Sequence, residues 1–592
     1  MKTKARKSLP ILIPFLYAAI LSFSVSNTLF WADDARQLSY IRELPSLWNA
    51  FGPDSFHLFR PVKNLLWFLF SALEPMGMEF AHAIAIVIGA LSFFPVYAAF
   101  RRILGSNGKG LAAASVWLLS PTLVSSAAWL SCVNIQVMAV FAAGMIALHD
   151  SAWDAGSFRP IRIGLASLCF LLALVSYECA VAVLPILFAF DFFLRPGRIR
   201  TRSARLAYCA YAAVLALYFL LRTFSGATGK MSGIWSEATR WHLMVSSPYF
   251  TAQHYASWFW PFGRFTVLGG YAWGDVPIWM LVATAIVFLS VFVAAIALRK
   301  RFPILSFSVF FALLGFAPVS NCLGFGNGPY GDYYLTLASM GLSVGCVEGV
   351  CLLSRVRGTW RGAALLAAVL FSFSRIAGVF EAARWAKLWS RSELAFEESI
   401  RNMPRVASNK FVFIQFLSDL GRDEEALELG RQIEEEVGPD SSTMETTYLI
   451  RALHAINVTH DPDAAFEALE KCRSVGIGRI SPEQMKFYRG CAFEDLLGDE
   501  ISAESEYESA LAGPWDFSLV PCADRLARLK ALRGERRMAI DIWERALNID
   551  PSNATVLLNL SIAFREEGDV ARSNELRARA KTILEKNGKA GK

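Results

Sequence analysis

For its first 380 residues the chain alternates apolar runs with short polar connections, and beyond that it becomes charged, alanine-rich and helical in period. Eleven of the runs read as membrane spans: 8–30, 80–100, 111–129, 133–148, 163–176, 180–193, 206–221, 278–298, 304–319, 335–353 and 363–380. The short run 65–73 reads as lying at the interface. The runs 163–176 and 180–193 are one apolar stretch broken at Tyr177 and Glu178, and a buried Glu at such a break is costly unless it has a partner or a task. The stretch 222–277 is rich in Trp, Tyr and Phe but interrupted by Pro248, Gln253 and His254. It reads as a loop in the headgroup layer.

The connections carry the orientation. The basic start 1–7 precedes a segment without a small-x-small cleavage site, so it predicts a retained first span with its N-terminus inside. Further cations cluster at alternate connections: Arg101 and Arg102, the series Arg195 to Arg205, Arg299 to Arg301, and Arg355 with Arg357. Eleven crossings put the tail outside. They also put the polar stretch 31–64, the Glu178 break, the aromatic stretch and the loop with Asp332 on that same outer side. Unrelated interfacial residues would be divided between the two faces, so this convergence marks a site.

The tail repeats. Gly534 is followed by Ala539, Trp543 and Ala546, and Gly498 by Ala503, Tyr507 and Ala510; His460 stands before Ala465, Leu469 and Cys472, Gly421 before Ala426, and Gly568 opens a fifth unit. The spacings are 39, 38, 36 and 34 residues. Small residues let neighbouring helices approach while the large one fills the groove between them, the pattern of tetratricopeptide-type helix pairs. The expected fold class is therefore all-α, a polytopic membrane domain of about eleven spans followed by an α-solenoid. The expected boundaries are 1–380 for the membrane domain, 381–406 for a junction helix, 407–585 for the solenoid and 586–592 for a disordered tail.

Composition agrees. With 54% hydrophobic residues in 592 and a mean hydropathy of +0.38, the chain is too apolar to be soluble at this length. The net charge of +7 is small, and its cations mark topology rather than a nucleic-acid surface. Ten cysteines show neither a CxxC pair nor zinc spacing and read mostly as core thiols. Cys472, Cys491 and Cys522 of the tail would lie in an oxidising space, which leaves room for one disulfide and one free thiol.

Candidate chemistry concentrates in 31–64. Asp33 and Asp34 stand where the first span emerges, and His57, Arg60 and Lys63 precede the return to apolar sequence. Paired carboxylates serve where one removes a proton and the other orients its donor, or where a divalent metal needs oxygen ligands. Arg beside Lys is equipment for a phosphate. The plainer alternative is that Asp33 caps a short interfacial helix while the cations meet lipid headgroups.

In layout and motifs the chain resembles the C-type membrane glycosyltransferases, most of all the O-mannosyltransferase-like proteins with transmembrane and tetratricopeptide-repeat parts and their bacterial counterparts. The resemblance is carried by Asp33-Asp34, by Phe59-Arg60-Pro61 (similar to the family's Tyr-Arg-Pro), by Ser176-Tyr177-Glu178 (similar to Ser-Lys-Glu) and by Pro318-Val319-Ser320-Asn321. The run GDYYLTLASMG from Gly331 and the junction from Trp385 to Pro404 add to it. Departures are Ser120-Pro121 and Ser125 in place of His-Pro and a nearby Glu, Cys132 and Val133 in place of Gly-Arg, and Tyr333 in place of an Arg.

The resemblance implies an inverting transfer of a sugar from a polyprenyl-phosphate-linked donor to an acceptor on the outer face of a bacterial inner membrane. Asp33 or Asp34 would deprotonate the acceptor hydroxyl, and Arg60 with Lys63 would hold the leaving phosphate. His57, Glu178, Asp332, Tyr333 and Tyr334 would line the substrate pocket. The repeats would bind an acceptor protein or glycan, membrane lipid would surround the spans, and nucleic acid has no place. No cofactor is required, although the carboxylate pair is compatible with a divalent metal. The altered motifs also suit a catalytically silent scaffold that recruits envelope-assembly partners. A transporter of lipid-linked sugars would show related halves, and the membrane part shows no clear internal repeat.

Overall fold

A computed structural model describes residues 12–22, 34–44, 46–73, 78–154, 157–227, 237–265, 276–322, 331–402, 410, 413–414, 416–418, 420–439, 444–476, 480–513, 515, 517–550 and 553–590. The protein is an all-α membrane protein, with no strand among the described residues. It divides into two compact units, Met1–Asn409 and Lys410–Lys592.

The first unit contains α1 (Leu12–Ser22), α2 (Asp34–Glu43), α3 (Pro61–Leu73), α4 (Met78–Leu104), α5 (Asn107–Leu118), α6 (Ser125–Ala128), α7 (Val133–Ser151) and α8 (Pro160–Ser176). It continues with α9 (Val183–Leu194), α10 (Arg202–Phe224), α11 (Glu237–Phe259), α12 (Ile278–Ala297), α13 (Pro303–Phe316), α14 (Leu335–Leu353), α15 (Arg361–Trp389) and α16 (Ser392–Asn402). By length and apolarity six of these, α4, α7, α10, α12, α14 and α15, are able to cross a membrane, and the α5–α6 pair makes a seventh if its 59° bend is one broken span. The eleven expected crossings are therefore not reached by helix length. At 1.5 Å per residue, the 17 residues of α8 and the 14 of α13 extend about 26 and 21 Å, short of a hydrocarbon core of about 30 Å.

Two breaks have local causes. Ser120 is extended and Pro121 has no amide hydrogen to continue α5. At the other, Tyr177 is extended, and the Asn134 side-chain amide donates to the freed Ser176 carbonyl at 2.7 Å. Close helix contact depends on small residues: a Cβ on Gly341 would fall 2.5 Å from Ala312 N, and one on Gly315 3.1 Å from Ala338 N, so α13 and α14 pack backbone to backbone.

Three stretches of this unit bear on the expectations. The aromatic stretch is a helix rather than an irregular loop: α11 runs 23 residues through Pro248, and Ser246, Thr251 and Ser257 return their hydroxyls to its own carbonyls. Its buried Phe250, His254 and Trp258 explain why packing outweighs one lost backbone hydrogen bond. The run 65–73 belongs to α3, which buries Lys63, Asn64, Trp67 and Phe70. Finally, α15 passes through position 380 without a break.

The second unit is a series of helix pairs: Asp423–Val437 with Glu445–His454, Pro462–Val475 with Pro482–Leu497, Glu500–Ala510 with Val520–Leu532, Arg536–Ile549 with Ala554–Glu566, and a last helix Val570–Ala590 that runs into the expected tail. Each residue that opens a repeat, Gly421, His460, Gly498, Gly534 and Gly568, has left-handed backbone with φ between 50° and 90°. That conformation turns the chain from one pair into the next, and glycine adopts it without steric cost. Gly490 shows why small residues recur: a Cβ there would strike the Tyr507 ring. All ten cysteines are free thiols. Cys472 donates to the Glu445 carbonyl, Cys522 to that of Tyr507, and Cys491 meets the Tyr507 hydroxyl, so the three tail thiols lie in separate helix contacts.

Candidate functional site

The loop before α3 closes on itself. Asp54 Oδ1 accepts from the amides of Phe56 and Leu58, each at 2.9 Å, and the Asp54 amide donates to the Leu58 carbonyl at 2.7 Å. The turn needs a left-handed residue, which is His57 at φ 58°, and this side chain is exposed. Asp54 itself is buried, and its Oδ2 lies 3.5 Å from Lys63 Nζ and 3.8 Å from an Arg60 nitrogen.

Arg60 faces the 177–178 break. Its Nε donates to Glu178 Oε2 at 2.7 Å, its Nη2 to Oε1 of the same carboxylate, and its guanidinium carbon stands 4.6 Å from the centre of the Tyr177 ring. Lys63, 2% exposed, lies over the Phe56 ring. Two cations and two carboxylates thus form a group of zero net charge. A planar guanidinium forked onto a carboxylate is the strongest such pair available, and in a low-dielectric setting each charge requires its partner.

Asp34 opens α2 and is fully buried, its Oδ1 accepting from the Ser131 amide at 2.9 Å. One turn on, Gln37 ties α2 to the charged loop: its amide donates to Asn64 Oδ1 at 3.1 Å and its Oε1 accepts from the Ser55 hydroxyl at 2.5 Å. Trp129, which precedes the turn carrying Ser131, meets the Tyr333 ring edge-on at 5.6 Å and stacks with Trp389 at 6.2 Å. Tyr333 and Tyr334 lie 4.4 Å apart, and Tyr334 neighbours His254 of α11.

The structure therefore connects Asp34, Arg60, Lys63, Glu178, Tyr333 and Tyr334 through direct contacts among five segments. Asp33 lies outside the described residues. Asp332 is half-buried; its carbonyl accepts from the Leu335 amide, and its side chain has no hydrogen bond or ion pair to another described residue. Sequence reasoning missed Asp54, Gln37, Asn64 and Trp129. The Pro53-Asp54 step carried a legible signal, since Asp after Pro commonly folds its carboxylate onto amides two residues on; the others had none. Among the described residues no group of three or more His, Cys, Asp or Glu is placed to hold a metal ion.

In the second unit a groove of about 620 Å³ opens between the helices Asp423–Val437, Glu445–His454 and Pro462–Val475, lined by Arg431, Glu434, Tyr448, Arg451, His454 and Lys471 among others. Arg451 bridges to Glu434 and also faces the Tyr448 ring.

No family model matches the sequence, and no curated protein matches it either. Among solved structures the chain is similar to the apo oligosaccharyltransferase of Archaeoglobus fulgidus, with 13% identity and a TM-score of 0.39. The match covers 64% of this chain and 56% of that one.

Proposed function

We propose that the membrane unit is an inverting glycosyltransferase that moves a sugar from a polyprenyl-phosphate carrier to an acceptor hydroxyl on the outer face of a bacterial inner membrane. The observation that carries the proposal is the contact network joining the segments of Asp34, Arg60, Glu178 and Tyr333, which gathers acid, cation and aromatic surface in one place. Full burial of Asp34 suits it to an orienting role, which leaves Asp33 as the base. The acceptor oxygen attacks the anomeric carbon, the bond from that carbon to the phosphate oxygen breaks, and the acceptor proton passes to the carboxylate. The phosphate leaves with the electron pair and is met by Arg60, with Lys63 behind it. Glu178 gives up part of its hold on Arg60 when the phosphate arrives and turns to sugar hydroxyls, while Asp332, Tyr333, Tyr334 and His57 line the pocket. The repeats, of tetratricopeptide type and on the outer side, hold an acceptor protein or glycan in their groove.

Neutralisation of Arg60 and Lys63 by Glu178 and Asp54 favours a second reading, a catalytically silent scaffold in which these charges only brace the fold. Mass spectrometry of envelope glycans, glycoproteins and polyprenyl-linked sugars in a deletion strain separates the two. A sugar that disappears and returns with wild type, but not with the Asp33→Asn, Asp34→Asn double variant, supports the transferase. Full restoration by the double variant leaves the scaffold.

A further inference from the structure

One cation is not absorbed by this site. Arg375 lies within the apolar length of α15 and forms no ion pair with a carboxylate among the described residues. Its Nη1 donates to the Trp258 carbonyl at 2.8 Å and its Nη2 to that of Phe259, and the guanidinium faces the rings of Trp258 and Phe371 at 5.0 and 5.5 Å. These carbonyls end α11, so the contact also caps a helix C-terminus. Capping fixes the direction of the guanidinium without cancelling its charge. The fork has five N–H groups; two go to carbonyls, and a third reaches only a 3.5 Å contact with the Ser374 hydroxyl.

The surroundings define what approaches it. The surface of α15 is apolar and exposed from Leu366 through Phe373 and Ile376 to Phe380, and polarity returns at Glu381. The 21 residues from Arg361 to Glu381 extend about 30 Å, the thickness of a hydrocarbon core, and Arg375 lies about 9 Å inside its Glu381 end. At that depth an uncompensated guanidinium is costly and draws a headgroup toward itself.

We propose that Arg375 is a binding site for the phosphate of a bilayer lipid, whose acyl chains lie along the Leu366 to Phe380 surface of α15. The phosphate oxygens take the remaining N–H groups, and the α11 carbonyls hold the fork in place to receive them. This site does not rest on the transferase reading and serves a scaffold equally well.

Native mass spectrometry of the full-length protein in detergent tests it with three probes: dioleoyl phosphatidic acid, dioleoylglycerol and inorganic phosphate. Wild type is expected to retain phosphatidic acid in preference to the diacylglycerol and the free ion, and Arg375→Gln to weaken it about tenfold, the scale of one charge-assisted contact. Arg264→Gln, which removes a cation bound only to Gln253 among the described residues, is expected to leave binding unchanged. Equal retention of phosphatidic acid by Arg375→Gln, or equal retention of diacylglycerol by wild type, overturns the proposal. So does capture of inorganic phosphate as tight as that of the lipid. If Arg375→Gln does not fold, Arg375→Lys decides: an ammonium cannot serve two carbonyls and a phosphate together, so its affinity is expected to fall, and an unchanged affinity overturns the site.

Discussion

The two units hold their ion pairs at different depths. In the membrane unit ion pairs join distant parts of the chain: Arg60 to Glu178, Lys109 to Glu348 at 2.7 Å, and Arg102, Arg195 and Arg198 around the mostly buried Asp150. Pairs in the repeats also bridge helices, but many of them sit at the surface, such as Arg536 with Glu566 and Arg572 with Glu544 between helices, and Arg422 with Glu425, Arg431 with Glu428, and Lys471 with Glu467 one helical turn apart. Water screens the second kind, so partners there are nearly interchangeable. Within the membrane unit a buried charge that loses its partner is costly, and the long-range pairs therefore help to specify which segments meet.

The largest expected effect breaks one pair of each kind. Asp54→Ala removes the buried carboxylate that faces both Lys63 and Arg60 and accepts from two loop amides, and is expected to cost about 3–5 kcal/mol, whereas Glu428→Ala should stay within about 0.5 kcal/mol. Thermal unfolding of the full chain in one detergent compares them, and equal shifts would erase the distinction. A sharper form replaces both partners: Asp54→Asn with Lys63→Met is expected to recover most of the loss in stability, because the Asn Oδ1 still accepts from the Phe56 and Leu58 amides and the two buried charges leave together. Recovery of stability without recovery of function would separate the structural work of the cluster from its proposed chemistry.

Effects of intermediate size belong to the repeats, where packing and backbone geometry replace charge as the demanding terms. Gly490→Ala forces a methyl group into the Tyr507 ring and is expected to destabilise by about 1–3 kcal/mol. Gly498→Ala places a side chain in left-handed backbone and should cost about 1 kcal/mol, while His460→Gly relieves that conformation at the equivalent place and is expected to be neutral or stabilising. Unfolding of the repeats followed by hydrogen exchange reads all three. A destabilised His460→Gly would mean that the imidazole makes a contact worth more than the strain.

The same contrast decides what was legible in the chain. The repeats announced themselves because their determinants are local: Gly498, Ala503, Tyr507 and Ala510 fall at fixed intervals, and each does in the fold what its size suggests. The Glu178 break and the apolar runs were legible for the same reason. What the sequence did not reveal is non-local. Nothing near Arg60 announces that its partner is 118 residues away, and nothing around Gln37 announces that it joins Asn64 and Ser55. The aromatic stretch misled because Pro248 and His254 look like interruptions when read alone, whereas burial of His254 against Phe316 and Tyr334 helps to hold the stretch in a helix. Span counting overran the structure where breaks at Ser120 and Tyr177 divide apolar text into pieces shorter than a bilayer.

The smallest expected effect is a titration at the groove of the repeats. The hydrogen bond from Arg451 holds the Glu434 carboxyl below its ordinary value of 4.5, with burial opposing and the Tyr448 hydroxyl assisting. A carboxyl whose pKa is lower folded than unfolded lends stability that is complete above the unfolded value and is lost as pH falls through the folded one. Acidification from neutrality to below 4.5 is therefore expected to loosen Glu445–His454 against Asp423–Val437, seen as faster amide exchange in those two helices of the full chain. Glu434→Gln removes the titrating group, so its exchange there should already be faster at neutral pH and should change less on acidification. If the variant keeps the wild-type acid response, another group governs the groove. The pair between these two helices would then be as dispensable as the exposed ones around it.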